Sequence, residues 1–365
     1  MISKTTAPFS KASKRIAFYI SSHGYGHAAR STVLLQKLVP NYDIQIKTTI
    51  PKKFFTECLG KDILWIRQNV DVGCIQKNYS DVDAERTFKQ YRHFLRNHSK
   101  RLRDESNWLI ENNIDLVISD IASFPLKAAK IIGLPSFLIA NFTWYDIFSK
   151  LSGAKKHRDL LNILHEEYSS ATTQFLPQFA LSNNFQTPKE IVGFISLKGQ
   201  SRRNELEQQL SVKDKVLVFI YLGNYDISFI KWENLKLLDD YAFITRDPHL
   251  NPPENLYVLD GSFSYADLIA SADLVVSKCG YSTLASAFHH GKPVVACDRK
   301  DFCEAVEIRN FIVEKKVGVI IPQSSFNLCD WGIPIKEAMN LTVKNKVHLR
   351  GEDTVVKEID KFLET

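Results

Sequence analysis

A chain of 365 residues exceeds what one hydrophobic core usually fills, so two domains are expected. Hydrophobic residues at 44% and charged residues at 24% exclude a disordered or fibrous chain, and no apolar run reaches the roughly 18 residues of a membrane span. The net charge of +6 is too modest to imply a nucleic-acid partner.

Residues 1–14 are basic and rich in Ser and Thr, without the apolar core of a signal peptide, and read as a flexible tail. The six cysteines, at 58, 74, 279, 297, 303 and 329, include no C-x-x-C pair and read as reduced thiols. Together these point to the cytoplasm. The basic run Arg92, His93, Arg96, Lys100, Arg101 and Arg103 is either a solvated helix face or a peripheral contact with the inner face of a membrane or a phosphorylated acceptor.

Taken in chain order, RIAFYI (15–20) is a buried strand entering the glycine loop SSHGYG, and a helix follows from His27 to Leu38, closed by Pro40. Short strands follow at 43–49 and 62–66, then one long amphipathic helix near 84–112 and strands at 115–119 and 135–140. From about 183 to 212 the chain turns polar, and KVLVFIYLG at 215 opens a second series. Its strands are expected near 215–221, 241–244, 256–259, 273–277, 293–297 and 317–321, with helices near 264–271, 281–290 and 303–314. Strands alternating with helices imply doubly wound parallel sheets. The expected architecture is α/β, with Rossmann-like domains over 15–195 and 196–365 facing a cleft, and a last helix that can pack back on the first domain.

The segment Ser271 to Asn310 carries the strongest local pattern. A buried strand ends at Lys278, Gly280 permits a close turn, and Tyr281, Ser282 and Thr283 open a helix whose free N–H groups can hold a diphosphate. Ser and Thr at a helix start are equally simple caps. The next loop gathers Asp298, Arg299, Lys300, Asp301 and Glu304, a polar cluster suited to sugar hydroxyls or merely solvated.

In the first domain the informative pair is His27 and Asp120. Imidazole is the side chain best matched to deprotonating a hydroxyl near pH 7, and a carboxylate behind it fixes its tautomer. His27 opens the first helix and Asp120 ends a strand, so a parallel sheet can bring them together; the alternative is two separate caps. His23 is a competing base, or a phosphate or acceptor contact, and Tyr25 in the same loop is an acceptor contact. Phe142 and Trp144 either wall an acceptor pocket or pack in the core. His289 and His290 end a helix and suit its dipole better than a metal.

HGYGHAAR (23–30), DLVISD (115–120), NFTW (141–144), ADLIASADLVVSKCGYST (266–283) and KDFCEAVEIRN (300–310) resemble GT-B glycosyltransferases over roughly residues 15–340. They are similar to the UDP-glycosyltransferases, to the N-acetylglucosaminyltransferase of peptidoglycan synthesis and, over the whole chain, to the glycosyltransferase-like N-terminal region of plant L-arabinokinase. The resemblance implies a nucleotide-sugar donor and an unidentified acceptor. It implies that Lys278 and Gly280 to Thr283 cradle the donor diphosphate, that Gly223 and Asn224 line the cleft beside it, and that Asp301 and Glu304 contact the sugar. The loop Gly261-Ser262-Phe263 would hold the base, and His27 with Asp120 falls on the base and its partner. Where these families carry a Glu that grips the ribose, this chain has Ser286.

The expected activity is transfer of a sugar, hexosyl or N-acetylhexosaminyl, from a UDP-sugar to an acceptor hydroxyl with inversion, needing no metal or other cofactor. A nucleotide-sugar epimerase or hydrolase, and a non-catalytic sugar-nucleotide-binding domain, are the alternatives. HGYGHAAR lacks G-x-G-x-x-G, and no Walker A sequence supports a kinase.

Overall fold

The computed structural model describes residues 13–79, 81–223, 225–299 and 302–364. Two parallel sheets divide the chain. The first contains β1 (Arg15–Ile20), β2 (Asp43–Thr48), β3 (Leu64–Arg67), β4 (Leu116–Asp120), β5 (Ser136–Ile139), β6 (Thr173–Leu176) and β7 (Lys189–Ile191), in the order β3-β2-β1-β4-β5-β6-β7. The second contains β8 (Val216–Tyr221), β9 (Tyr241–Thr245), β10 (Leu256–Val258), β11 (Leu274–Lys278), β12 (Val294–Cys297) and β13 (Gly318–Ile321), in the order β10-β9-β8-β11-β12-β13. Both therefore reverse direction at one place, between β1 and β4 and between β8 and β11. A ligand crevice opens at such a switch point, beyond the carboxyl ends of the strands.

The first half's helices are α1 (Tyr25–Leu38), α2 (Lys52–Leu59), α3 (Ala84–Leu95), α4 (His98–Glu111), α5 (Phe124–Ile131), α6 (Trp144–Lys150) and α7 (Arg158–Tyr168). The single helix expected near 84–112 is two, broken at Arg96 and Asn97. Arg101 reaches back across the break, donating to the Phe94 carbonyl and lying 3.6 Å from the centre of its ring. Arg92 pairs with Asp159, so two arginines of the basic run serve the fold. The second half's helices are α8 (Arg203–Leu210), α9 (Tyr265–Ser271), α10 (Tyr281–His289), α11 (Glu304–Lys315), α12 (Gln323–Asn327), α13 (Gly332–Met339) and α14 (Gly351–Glu364).

Strands buried on both faces read as apolar runs, as Ile16–Ile20 and Leu217–Ile220 do. The chain between the sheets then crosses its own C-terminal segment. Phe194 N donates to the His348 carbonyl and Gly351 N to the Phe194 carbonyl. A Cβ on Gly351 would lie 2.0 Å from the Gly193 carbonyl oxygen, so only glycine fits this crossing. Beyond it α14 lies against α1, with Val355, Ile359 and Leu363 in the first domain's core.

Candidate active site

A cavity of about 330 Å3 lies between the two sets of strand ends, lined by both domains. His27, two residues into α1, and Asp120, the last residue of β4, meet in it: Nδ1 of His27 is 2.9 Å from Oδ1 of Asp120. Arg30 joins them through Nε to Oδ2 at 2.9 Å and Nη2 to Oδ1 at 2.6 Å, and Ser31 Oγ donates to Oδ2 at 3.0 Å. Burial would raise the Asp120 pKa, but the Arg30 charge and the His27 hydrogen bond overcome it and hold the carboxyl at about 2. Asp120 is thus an anion at neutral pH, and Nδ1 of His27 donates to it. Nε2 is the ring nitrogen left for the cleft, which His27 lines.

The network continues across the domains. Arg30 Nη1 donates to Oδ1 of Asn141, just past β5, and Asn141 Nδ2 donates to Oε1 of Glu304 at the start of α11, both at 2.6 Å. Burial raises the Glu304 pKa, while the Asn141 hydrogen bond opposes it. Arg30 and Asn141 were missed in the sequence, although Arg30 sits one helical turn from His27 in HGYGHAAR.

Two helix starts face each other here. α1 begins after Gly24 and α10 after Gly280, neither with a side-chain cap. The reading of Ser282 and Thr283 as caps does not hold, because Gly280 occupies that position. Ser282 Oγ instead donates to the Gly26 carbonyl at 2.9 Å, joining the helices, while Thr283 lines the cavity. Gly280 itself is extended (φ −152°), so its conformation does not require glycine. Tyr281 also lines the cleft, yet its hydroxyl accepts from Ile195 N at 2.9 Å and Arg30 lies over its ring. Gly223 follows β8 with φ +87°, a left-handed position that does favour glycine.

Lys278 Nζ sits 4.1 Å from the Tyr225 ring centre. Burial and then the nearby Arg299 charge push its pKa well below the usual lysine range. His23, Tyr25 and Phe142 line the first domain's side. Burial, then His27, Lys278 and Arg299, bring the His23 imidazole down to about 3, which makes it a poor general base at neutral pH.

Three expected contacts are corrected. Trp144 is fully buried, with Nε1 donating to Asp71 Oδ2 at 2.7 Å, so it belongs to the core and not to an acceptor pocket. Phe263 is packed in the second domain's core beneath the Arg202 guanidinium, 4.0 Å from its ring centre, and lies outside the cavity. Ser286 faces the interdomain segment, its Oγ donating to the Leu197 carbonyl at 3.0 Å, and is not part of the cleft lining. Asn224 and Asp301 lie outside the described residues, as does most of the expected tail. His289 and His290 bind the same interdomain segment, at Ser196 Oγ and Gly199 N.

Arg299, read in the sequence only as one of a polar cluster, follows β12 and lines the cavity while 3% exposed. Among the described residues its Nε and Nη2 have no hydrogen-bond partner. Only the fold reveals this, since the same residue on an open loop would be solvated.

Solved structures on which this chain superposes include glycosyltransferases. A UDP-glucosyltransferase from Polygonum tinctorium superposes over 97% of this chain and all of its own, with TM-score 0.68 and 13% identity. The calicheamicin glycosyltransferase CalG4 matches over 96% of this chain and 98% of its own, with TM-score 0.64 and 16% identity. The chain has the GT-B fold. MurG of Acinetobacter baumannii is a further GT-B neighbour, with TM-score 0.58 and 13% identity over 95% of this chain and 99% of its own. Residues 14–159, from β1 to the start of α7, match the family model "Glycosyl transferase family 1". L-arabinokinase of Arabidopsis thaliana is 25% identical over 333 residues, covering 89% of this chain but only 32% of the relative. The chain thus spans about a third of that protein. The resemblances read from the motifs are those the comparisons return.

Among the described residues no helix is long and apolar enough to cross a membrane.

Proposed function

We propose that this chain is a glycosyltransferase that moves a sugar from a nucleotide-sugar, with UDP-sugars the first choice, to an acceptor hydroxyl with inversion. The observation that carries the reading is the buried His27–Asp120 pair, which shares one cleft with the uncapped helix start at Gly280. In this reading Nε2 of His27 takes the acceptor's proton as its oxygen attacks the anomeric carbon. The bond from that carbon to the diphosphate breaks, and its electron pair leaves with the diphosphate. Asp120 stabilises the imidazolium formed, and Arg30 holds Asp120 in place.

The free N–H groups of α10, the Thr283 hydroxyl and Lys278 would receive the departing diphosphate, so the step is written without a metal or further cofactor. Glu304, fixed by Asn141, would meet the sugar, and His23, Tyr25 and Phe142 the acceptor. With Ser286 engaged elsewhere, ribose recognition falls to other groups. The reading includes a cytoplasmic location, supported by six cysteines that are all free thiols. The basic run, two of its arginines already paired, favours a solvated face over a membrane contact.

The test is His27→Ala assayed with a panel of nucleotide-sugars and acceptors. Transfer should fall by about 100-fold or more, the usual worth of a general base, while donor binding by calorimetry stays within about twofold. Undiminished transfer would remove His27 from the role. Release of free or isomerised sugar without any acceptor, followed by NMR, would favour hydrolase or epimerase chemistry instead.

A further inference from the structure

Between β3 and α3 the chain runs as a strap from the first domain to the second. Its near end is fixed by the Trp144–Asp71 hydrogen bond and by Gly73, whose absent side chain leaves room for the His23 ring. A short bridge between Gln76 and Val82 makes its tip a hairpin, and the tip carries Tyr79. Tyr79 is fully buried in the second domain: its hydroxyl donates to Asn327 Oδ1 at 2.6 Å and its ring stacks on Phe229 at 5.8 Å. The strap is therefore latched across one end of the cleft, and it brings Gln76 into the cavity wall.

Among the described residues Gln76 Oε1 is buried without a hydrogen-bond partner, as are Nε and Nη2 of Arg299. Burial raises the pKa of the Tyr79 hydroxyl and the Cys74 thiol, and the Arg299 charge is near enough to both to oppose that shift. Arg299 and Gln76 line the same cavity, and the Arg299 charge reaches His23, Lys278 and Glu304 as well as the strap. Buried polar groups almost always find partners, and an unpaired buried charge is strongly unfavourable. Phe302 supports the Arg299 guanidinium, 4.6 Å from its ring centre, and offers it no hydrogen-bond acceptor. Gln76 lacks a hydrogen-bond donor and Arg299 an acceptor in the same cavity.

Resting on the glycosyltransferase reading, we propose that the cleft receives a small, hydroxylated acceptor bearing an oxyanion, a phosphate or a carboxylate, with Arg299 binding the anion and Gln76 accepting a hydroxyl. Tyr79 is a positioning residue that holds Gln76 at the wall.

Calorimetric titration with glucose 6-phosphate, glucuronate, neutral glucose and inorganic pyrophosphate tests this on the full chain. The acid sugars should bind at least tenfold more tightly than glucose, and whichever of the two binds better identifies the anion. Arg299→Gln should lose at least tenfold affinity for the acid sugar while pyrophosphate binding changes less than twofold; Thr283→Ala should show the reverse. Gln76→Ala should weaken the acid sugars but not pyrophosphate. The Gln variant at 299 also takes a positive charge away from the buried Glu304, so Arg299→Lys, which keeps the charge, is the control and should keep part of the affinity. Equal binding of glucose and the acid sugars would overturn the proposal. So would loss of pyrophosphate binding in Arg299→Gln, which would assign Arg299 to the diphosphate instead. These titrations need no turnover, so a failure of His27 as the base would leave their outcome unaffected.

Discussion

Asp120 receives hydrogen bonds from His27, Arg30 twice and Ser31, and its carboxyl is held at about 2 against an ordinary value near 3.8. A carboxyl depressed in the folded state adds stability that is fully present above its unfolded pKa and disappears as pH falls through the folded value. The shift corresponds to about 2 kcal/mol, lost between roughly pH 4 and pH 2. Asp120→Asn should abolish that part of the acid dependence. It should also lower stability at pH 7 by about 3 kcal/mol or more, because Arg30 is left buried without its counter-charge. Urea unfolding at a series of pH values checks both, and an unchanged acid profile would mean that other carboxyls govern it. At this scale the chain was legible where chemistry and topology agree: His27 follows β1 and Asp120 ends the adjacent β4, so their meeting follows from strand order. It was illegible where burial decides. Trp144, Phe263 and Ser286 stand at motif positions, yet each is turned into the core or toward the linker, and a motif does not record which way a side chain turns.

Elements with their own hydrophobic period were readable, and most expected strands and helices fall within one or two residues of those observed. The break between α3 and α4 was not, because Arg96 and Asn97 are compatible with a continuing helix; Arg101, reaching back to Phe94, gives the turn a partner. The strap was also invisible. Its residues, DVGCIQKNYSDVD, are those of an ordinary polar loop, and the contact that defines it joins residues 248 positions apart. Long-range contacts of this kind depend on how the domains face each other, which no local pattern encodes. The latch has a measurable strength. Tyr79→Phe keeps the packing on Phe229 and loses the hydroxyl's hydrogen bonds to Asn327 and Cys297 Sγ, so about 1 to 2 kcal/mol of stability should go. Tyr79→Ala leaves a cavity as well and should cost about 3 to 5 kcal/mol. In the Ala variant amide exchange should rise across residues 71–83 before it rises in β1 or β4. Uniform exchange in both regions would show that the strap is not a separately released element.

The two domains and their common cleft could be anticipated from one alternating pattern appearing twice, since sheets of this order place their crevices at the strand ends. Besides the strap and the hydrogen bonds of the cleft, two glycines and one returning helix join the domains. α14 belongs to the C-terminal half in sequence but buries Val355, Ile359 and Leu363 against the first domain's core, and it pairs with α1 through Lys37 and Asp353. These apolar positions, four residues apart, form one stripe on the helix. α1 also carries His27 and Arg30, so the returning helix supports the element that positions the proposed base. The three side chains contribute roughly 5 kcal/mol by burial, a large share of the 5 to 15 kcal/mol typical of a folded domain. Gly351→Ala should disturb this linkage without touching the cleft, because the added Cβ would stand 2.0 Å from the Gly193 carbonyl oxygen and force the crossing strands apart. The wild-type chain should melt in one calorimetric transition. The Gly351→Ala chain should melt in two, with the first domain unfolding earlier once α14 no longer covers α1 and the second keeping its own transition. A single transition at the wild-type temperature would mean that the crossing relaxes easily and that cohesion between the domains lies instead in the cleft, in the Asn141–Glu304 and Ser282–Gly26 hydrogen bonds.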